Sequence, residues 1–159
     1  QMQMVLFWLM GSLTNYVDSL KPIIAIVVLG LTVAMVYARD LDVMALGDDE
    51  ARYLGVDVTK VKLLLLVVTT LMTGACVSVS GIIGFVGLIV PHIVRKLAGP
   101  EHQILLPLSA VLGATFLLLA DGVGRMVPFL SGIPVGVVTA LFGSPFFLYV
   151  LYSAGRRIP

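Results

Sequence analysis

Charged residues are scarce in this chain, because Asp, Glu, Lys and Arg make up only 12% of its 159 residues. Soluble domains carry about 25% charged residues, and here 59% of residues are hydrophobic and the mean hydropathy is +1.08. This composition excludes an ordinary water-soluble domain and is typical of an integral membrane protein. The net charge of +1 gives no reason to expect nucleic acid as a partner.

Groups that would carry chemistry are scarce as well. Cys76 is the single cysteine, so an intrachain disulfide is excluded. The sequence contains no nucleophile paired with a base, no glycine-rich phosphate loop with lysine and no pair of carboxylates. We therefore predict that the chain is not an enzyme, that it binds no cofactor and that it does not itself bind ATP. An intramembrane enzyme would need a convergent polar cluster, and the sequence suggests none.

The two histidines are candidate metal ligands, but their spacing argues against a metal site. His92 and His102 are ten residues apart and are separated by the break "AGP", which is not a ligand pattern on one helix. We predict no metal site, and we expect His92 to be a hydrogen-bonded helix residue.

Long apolar runs dominate the rest of the chain. A helix that crosses about 30 Å of hydrocarbon needs about 20 largely apolar residues. Four runs meet this requirement: residues 22–38, 61–80, 105–126 and 135–153. The run at 81–97 is shorter and is broken by Gly84, Gly87 and Pro91. It could be a re-entrant segment, but we predict a short span, because irregular backbone facing lipid is not tolerated.

The basic residues give these five spans an orientation. Lys21 and Arg125 fall on one side, and the other eight fall on the opposite side: Arg39, Arg52, Lys60, Lys62, Arg95, Lys96, Arg156 and Arg157. The positive-inside rule places the larger group in the cytoplasm. We therefore expect a cytoplasmic C-terminus. Residues 1–10 are apolar but too short to span, and they are predicted to be the tail of a truncated first helix.

One polar island interrupts the apolar sequence: "ALGDDEARYLGVDVTK" at residues 45–60. Asp48 and Asp49 suit a helix N-terminus and Gly55 suits a C-cap, so a helix of about two turns is predicted. Ala51 and Leu54 would share one face of it, with Leu46 and Gly47 at its start, as an apolar knob flanked by charge. The island could be a solvated loop or a contact for another protein.

The island also resembles a known family. Its pattern L-G-x-x-x-A-x-x-L-G, formed by Leu46, Gly47, Ala51, Leu54 and Gly55, resembles the cytoplasmic coupling loop of type II ABC importer permeases for iron-siderophore, haem and cobalamin. Four further segments resemble that family in the expected order: "FWLMGSL" (7–13), "GFVGLIVPHIVRKLAGPEHQILLP" (84–107), "LLLADGVGR" (117–125) and "IPVGVVTALFGSPFFLYVL" (133–151). The resemblance covers essentially the whole chain and corresponds to the C-terminal half of such a permease.

The resemblance implies partners and site residues. It implies a second permease subunit, cytoplasmic ATPase subunits that bind the ATP, and an extracytoplasmic substrate-binding protein, in the inner membrane of a prokaryote. The coupling loop, at about residues 39–62, would contact the ATPase through Leu46, Gly47, Ala51, Leu54 and Gly55. Arg125 would help to dock the binding protein, whereas on physical grounds alone the favoured interpretation is a helix-end arginine that snorkels to the interface. The residues of the substrate pathway are not indicated.

These observations together predict an all-α polytopic transmembrane helix bundle. It would have about five spans, a truncated first helix and a short cytoplasmic coupling helix, with residues 1–159 forming the C-terminal half of an importer's transmembrane domain. The expected function is ATP-driven import of a ferric siderophore or a related metal chelate by alternating access. The alternative is a helical membrane domain that does not transport and only recruits a cytoplasmic partner.

Overall fold

The structure is a computed structural model, and it describes residues 20–126 and 134–155. The predicted truncated helix at residues 1–10 and the basic residues Arg156 and Arg157 lie outside the described residues. The described part is helical throughout its regular elements, as predicted. Its seven helices are α1 (Leu20–Val36), α2 (Ala38–Met44), α3 (Asp48–Tyr53), α4 (Val58–Ser80), α5 (Val86–Ala98), α6 (His102–Met126) and α7 (Val135–Gly155).

Within the described residues, α4 and α6 are long and apolar enough to cross a membrane, and the bent pair of α1 and α2 adds a third candidate span. Helix α7 is apolar as well. Helix α5 has only 13 residues, which reach about 20 Å, and residues 81–85 before it are not helical. The short span predicted for 81–97 therefore stays a prediction.

The first predicted span differs from the structure at its C-terminal end. Helix α1 stops at Val36, and α2 starts after Tyr37 at an angle of 53° to it. The backbone remains hydrogen-bonded through the bend, since the Tyr37 amide donates to the Val33 carbonyl at 3.2 Å and the Leu41 amide donates to the Tyr37 carbonyl at 3.0 Å. The bend thus redirects the chain without leaving open backbone groups at this point.

Helix α1 packs closely on α4 at Gly30. A Cβ atom at Gly30 would lie 2.2 Å from the sulfur of Met72. Only glycine at position 30 therefore leaves room for the Met72 side chain in its observed conformation. Small residues are the usual means by which helices approach each other in lipid.

The described chain divides into two compact units. The first consists of residues 20–79 and 94–109, and its fully or nearly fully buried apolar residues are Ala38, Ala51, Val58, Val61, Val94 and Leu105. The second consists of residues 80–93, 110–126 and 134–155, and Ala120, Val135 and Val138 form a small core there with Leu117 against it.

In the second unit, Phe85 precedes α5 with a φ of 67°, a left-handed conformation that side chains rarely adopt. Its ring occupies the space beside Gly143 of α7, where an added Cβ would lie 2.3 Å from the Phe85 Cγ. About two turns further along α5, the ring of His92 meets Phe146 edge-on, with 5.8 Å between the ring centroids.

Candidate functional site

The polar island forms an ordered turn of structure around α3. Gly47 precedes the helix with φ 139° and ψ 149°, a backbone region that is essentially restricted to glycine. The Gly47 carbonyl accepts the first helical hydrogen bond, from the Ala51 amide at 3.0 Å. Asp48, Asp49 and Glu50 fill the first turn, where their charge complements the helix dipole. The backbone conformation at position 47 therefore requires glycine.

The end of α3 is also fixed by a glycine. Gly55 has a φ of 89°, its amide donates to the Arg52 carbonyl at 3.0 Å, and the Val56 amide donates to the Ala51 carbonyl at 3.0 Å. These two bonds form a Schellman motif with Gly55 at the left-handed position. The prediction that Gly55 ends the helix is confirmed, but the C-cap itself is Leu54 and Gly55 is the residue that follows it. Helix α3 has six residues, close to the predicted two turns.

The chain then enters α4 through a second cap. The Asp57 carboxylate accepts the Lys60 amide at 3.2 Å and pairs with the Lys60 ammonium at 2.8 Å. The hydrogen bond from the Lys60 side chain, followed by that from its amide, lowers the pKa of Asp57 below its usual value. A carboxylate that receives the first-turn amides is the usual N-cap, so α4 starts at a defined residue.

An ion pair connects α3 directly to α4. The Lys62 ammonium hydrogen-bonds the Asp48 carboxylate, and both side chains are about half exposed. Exposed pairs of this kind contribute little stability. The pair shows that the Asp48 side of the first turn of α3 lies near Lys62 of α4.

The apolar residues of the island do not form the predicted knob. Ala51 is completely buried, whereas Leu46, Tyr53 and Leu54 expose 71%, 91% and 66% of their surface. The prediction that Ala51 and Leu54 share one exposed face is therefore wrong. A short helix is only marginally stable alone, so it must pack one side on the rest of the chain, and Ala51 lies on that side. Leu54 is the C-cap residue, where the backbone departs from helical geometry.

The exposed apolar surface of the loop thus consists of Leu46, Tyr53 and Leu54, which we call the loop tip. Tyr53 was not among the predicted site residues. Its position directly before the C-cap and on the side opposite Ala51 follows from the helix bounds, which the glycines define.

A second contact was not foreseen from the sequence. One oxygen of the Asp42 carboxylate, on α2, lies 2.9 Å from the His102 amide nitrogen and 2.6 Å from its Nδ1. Desolvation at this half-buried position raises the pKa of Asp42, but the hydrogen bonds from His102 outweigh it, and the pKa lies below its ordinary value. The two residues are 60 positions apart, and no spacing rule connects them.

The remaining predicted residues are placed as follows. Arg125 is in the last turn of α6, and its side chain lies outside the described part of the chain. Among the described residues, no group of three His, Cys, Asp or Glu side chains could hold a metal ion. The prediction of a hydrogen-bonded His92 is not borne out at its buried Nε2, which has no partner among the described residues. The His92 ring packs edge-on against Phe146.

Comparison with known proteins gives consistent matches along this chain. The model of the FecCD transport family matches residues 1–153. The Cobalamin import system permease protein BtuC of Halobacterium salinarum is 48% identical over 92% of this chain and 39% of its own length. The Fe(3+)-citrate import system permease protein YfmD of Bacillus subtilis is 43% identical over 97% of this chain and 46% of its own length.

A hemin transport system permease protein, HmuU of Yersinia pestis, is 41% identical over 95% of this chain and 46% of its own length. Among solved structures, an ABC transporter assigned to the metal-chelate type, in an inward-facing conformation, matches with a TM-score of 0.87 and 35% identity. That match covers 95% of this chain and 49% of the other. The chain therefore spans about half, or somewhat less, of the proteins that it matches.

Proposed function

Since this chain belongs to the FecCD transport family, we propose that it forms the C-terminal half of a permease subunit in an ATP-driven importer. The substrate class is a metal chelate, with a ferric chelate first, because relatives are named as permeases for Fe(3+)-citrate, hemin and cobalamin. Two such subunits would enclose the pathway, and separate ATPase subunits would bind and hydrolyse the ATP. Uptake of ferric citrate, hemin and cobalamin by cells that depend on the complete permease tests the substrate class.

The construction of the loop supports this role more than any other observation. Gly47 and Gly55 set the two ends of α3, Ala51 is buried so that α3 packs on its own chain, and Leu46 and Leu54 remain exposed. An exposed apolar tip on a small fixed helix is the form that docks into a groove of a partner. We assign the direct contact to the loop tip, whereas Gly47, Ala51 and Gly55 hold it in place.

The orientation proposed for the chain places the loop and the C-terminus in the cytoplasm of a prokaryote and Arg125 on the outer side. This follows from the distribution of basic residues under the positive-inside rule. Arg125 would pair with a carboxylate of the substrate-binding protein, since a guanidinium forms oriented, reversible contacts with carboxylates.

Binding of the complete permease to its ATPase tests the loop assignment. We expect Leu54→Arg to weaken binding at least tenfold, because a charge in an apolar groove is left without a partner. Leu97→Arg is the matched control, since Leu97 lies in the last turn of α5 beside Lys96 and is 75% exposed. Ala51→Arg is unsuitable as a test, because it would place a charge in a fully buried position and disrupt α3 itself.

Equal binding by Leu54→Arg and the native protein would overturn the assignment of the contact to the loop tip. An equal loss with Leu97→Arg would also contradict it, because the contact would then not be confined to the loop. Membrane insertion of all three proteins is checked by carbonate extraction, so that a loss of binding is not a loss of protein.

A further inference from the structure

Two side-chain contacts connect the loop to α4 and α6, and they differ in their exposure to water. Asp48 pairs with Lys62 of α4 through two side chains that are about half exposed. Asp42 contacts His102 of α6, and there the side chains are only 33% and 16% exposed. Less exposure to water strengthens a charge-assisted hydrogen bond. The Asp42 contact is therefore the firmer of the two.

The Asp42 contact also meets a specific need of α6. His102 is its first residue, so its amide is one of the groups that the helix itself leaves open. The Glu101 carbonyl accepts two later amides, from Ile104 at 3.2 Å and Leu105 at 2.9 Å. The carboxylate of Asp42 accepts the His102 amide and the ring Nδ1 with the same oxygen, and its charge suits a helix N-terminus.

The backbone between Asp42 and Gly47, which connects this contact to α3, is hydrogen-bonded. Between Asp42 and Gly47 the amides of Ala45, Leu46 and Gly47 donate to carbonyls three or four residues earlier, at 3.0 to 3.2 Å. A displacement of α3 is therefore passed to α2 through a hydrogen-bonded turn and not through a slack linker.

We propose that Asp42 is a positioning residue that carries the displacement of the loop to the first turn of α6, through the amide and the imidazole of His102. The inference rests on the proposed function, since it requires an ATPase that moves the loop. Removal of Asp42 would leave α3 on its partner but would uncouple the start of α6 from it. Helix α6 is one of the helices long enough to cross the membrane.

Two reporters on the complete transporter separate these steps. Nitroxide labels are placed at Asp49→Cys in α3 or at Gln103→Cys in the first turn of α6, both exposed, with Cys76 replaced by Ser. The change in the spin-label line shape on addition of ATP and vanadate is measured in each. Asp42→Ala removes both bonds to His102. We therefore expect the change at position 103 to fall about fivefold in this variant and the change at position 49 to persist.

Three further variants sharpen the test. Asp40→Ala is the matched control, because Asp40 lies on the same helix and makes no hydrogen bond or ion pair within residues 20–126 and 134–155, and it should behave as the native protein. His102→Ala keeps the amide contact and should give an intermediate response. Asp42→Ala with His102→Ala should equal Asp42→Ala alone, since both bonds end on Asp42.

The outcomes distinguish the inference from its premise. A normal change at position 103 in Asp42→Ala, or an equal loss at both positions, would overturn the inference, since Asp42 would then be dispensable or would only support the loop. A silent label at position 49 in the otherwise native complex would instead overturn the proposed function, and the inference with it.

Discussion

Along α4 the surroundings of the side chains change within one turn. Val58 and Val61, beside the loop, are buried within the chain, whereas Leu63, Leu66 and Leu71 expose more than 60% of their surface. Burial of apolar surface stabilises structure where the alternative is water, and between helices in lipid that driving force is absent. Along α4 the packing within the chain is thus concentrated beside the loop, and the rest of this helix is apolar on its outside.

Polar contacts show the same division. Around the loop, side chains bond to distant parts of the chain, as Asp42 does with His102 and Asp48 with Lys62. Within the spans, the hydroxyls of Thr69, Thr70 and Thr115 bond to carbonyls of their own helix at 2.7 to 2.9 Å. Within hydrocarbon, a hydroxyl finds a hydrogen-bond acceptor most readily in its own helix. Near water, charged side chains can form contacts with distant parts of the chain.

The same substitution at two places on α4 tests this division most strongly. Val58→Ala removes methyl groups from a position that is 2% exposed and should lower the free energy of unfolding by about 2 kcal/mol. Val67→Ala, at a position that is 47% exposed, should change it by less than about 0.5 kcal/mol. Unfolding of the complete permease by SDS in mixed micelles measures both. Equal effects would show that the span is packed as tightly as the loop.

Alanine substitutions at two glycines with open space around them should change the free energy of unfolding by smaller amounts, and in opposite directions at the two sites. A Cβ at Gly55 or at Gly74 meets nothing within 4 Å, so only the backbone conformation matters. Gly55→Ala forces a side chain into a left-handed conformation and should destabilise by about 1 kcal/mol, while Gly74→Ala, inside α4, should stabilise by about 0.5 kcal/mol. The same SDS unfolding series measures both. A neutral Gly55→Ala would contradict the role given to the Schellman motif.

The smallest effect is a pH dependence at the contact between Asp42 and the first turn of α6. Because the pKa of Asp42 is lowered in the folded protein from its ordinary 3.8, its contribution is complete above that value and is lost as the pH falls through the lower folded pKa. We expect amide exchange at residues 101–106, corrected for intrinsic rates, to rise as the pH falls below about 4. Asp42→Asn should lack this step, and the same step in that variant would exclude Asp42 as its source.

Much of this fold follows from sequence patterns. Apolar runs of the right length place α1, α4, α6 and α7, and the ends of α3 follow from Gly47 and Gly55, because only glycine suits the backbone there. These features are local, so the residues that determine them are adjacent in the chain. The family is also evident from the sequence, since its motifs lie in those same local segments.

The features that the sequence does not reveal depend on distant residues. The contact of Asp42 with His102 and the approach of Gly30 to Met72 join segments whose meeting no local pattern predicts. The burial of Ala51 was missed for a related reason, since spacing shows which residues share a helix face but not which face the rest of the chain covers. The bend at Tyr37 has no proline or glycine to mark it.

Because of that bend, α2 projects sideways from the end of α1. Seven residues of helix form an arm about 10 Å long, and at 53° to α1 its far end lies about 8 Å to the side of the α1 axis. A force applied at the far end of α2 would therefore act away from the α1 axis and would exert a torque about Tyr37. Had α2 continued straight, the same push would have driven α1 along its own length through the bilayer, exposing apolar turns to water at one end.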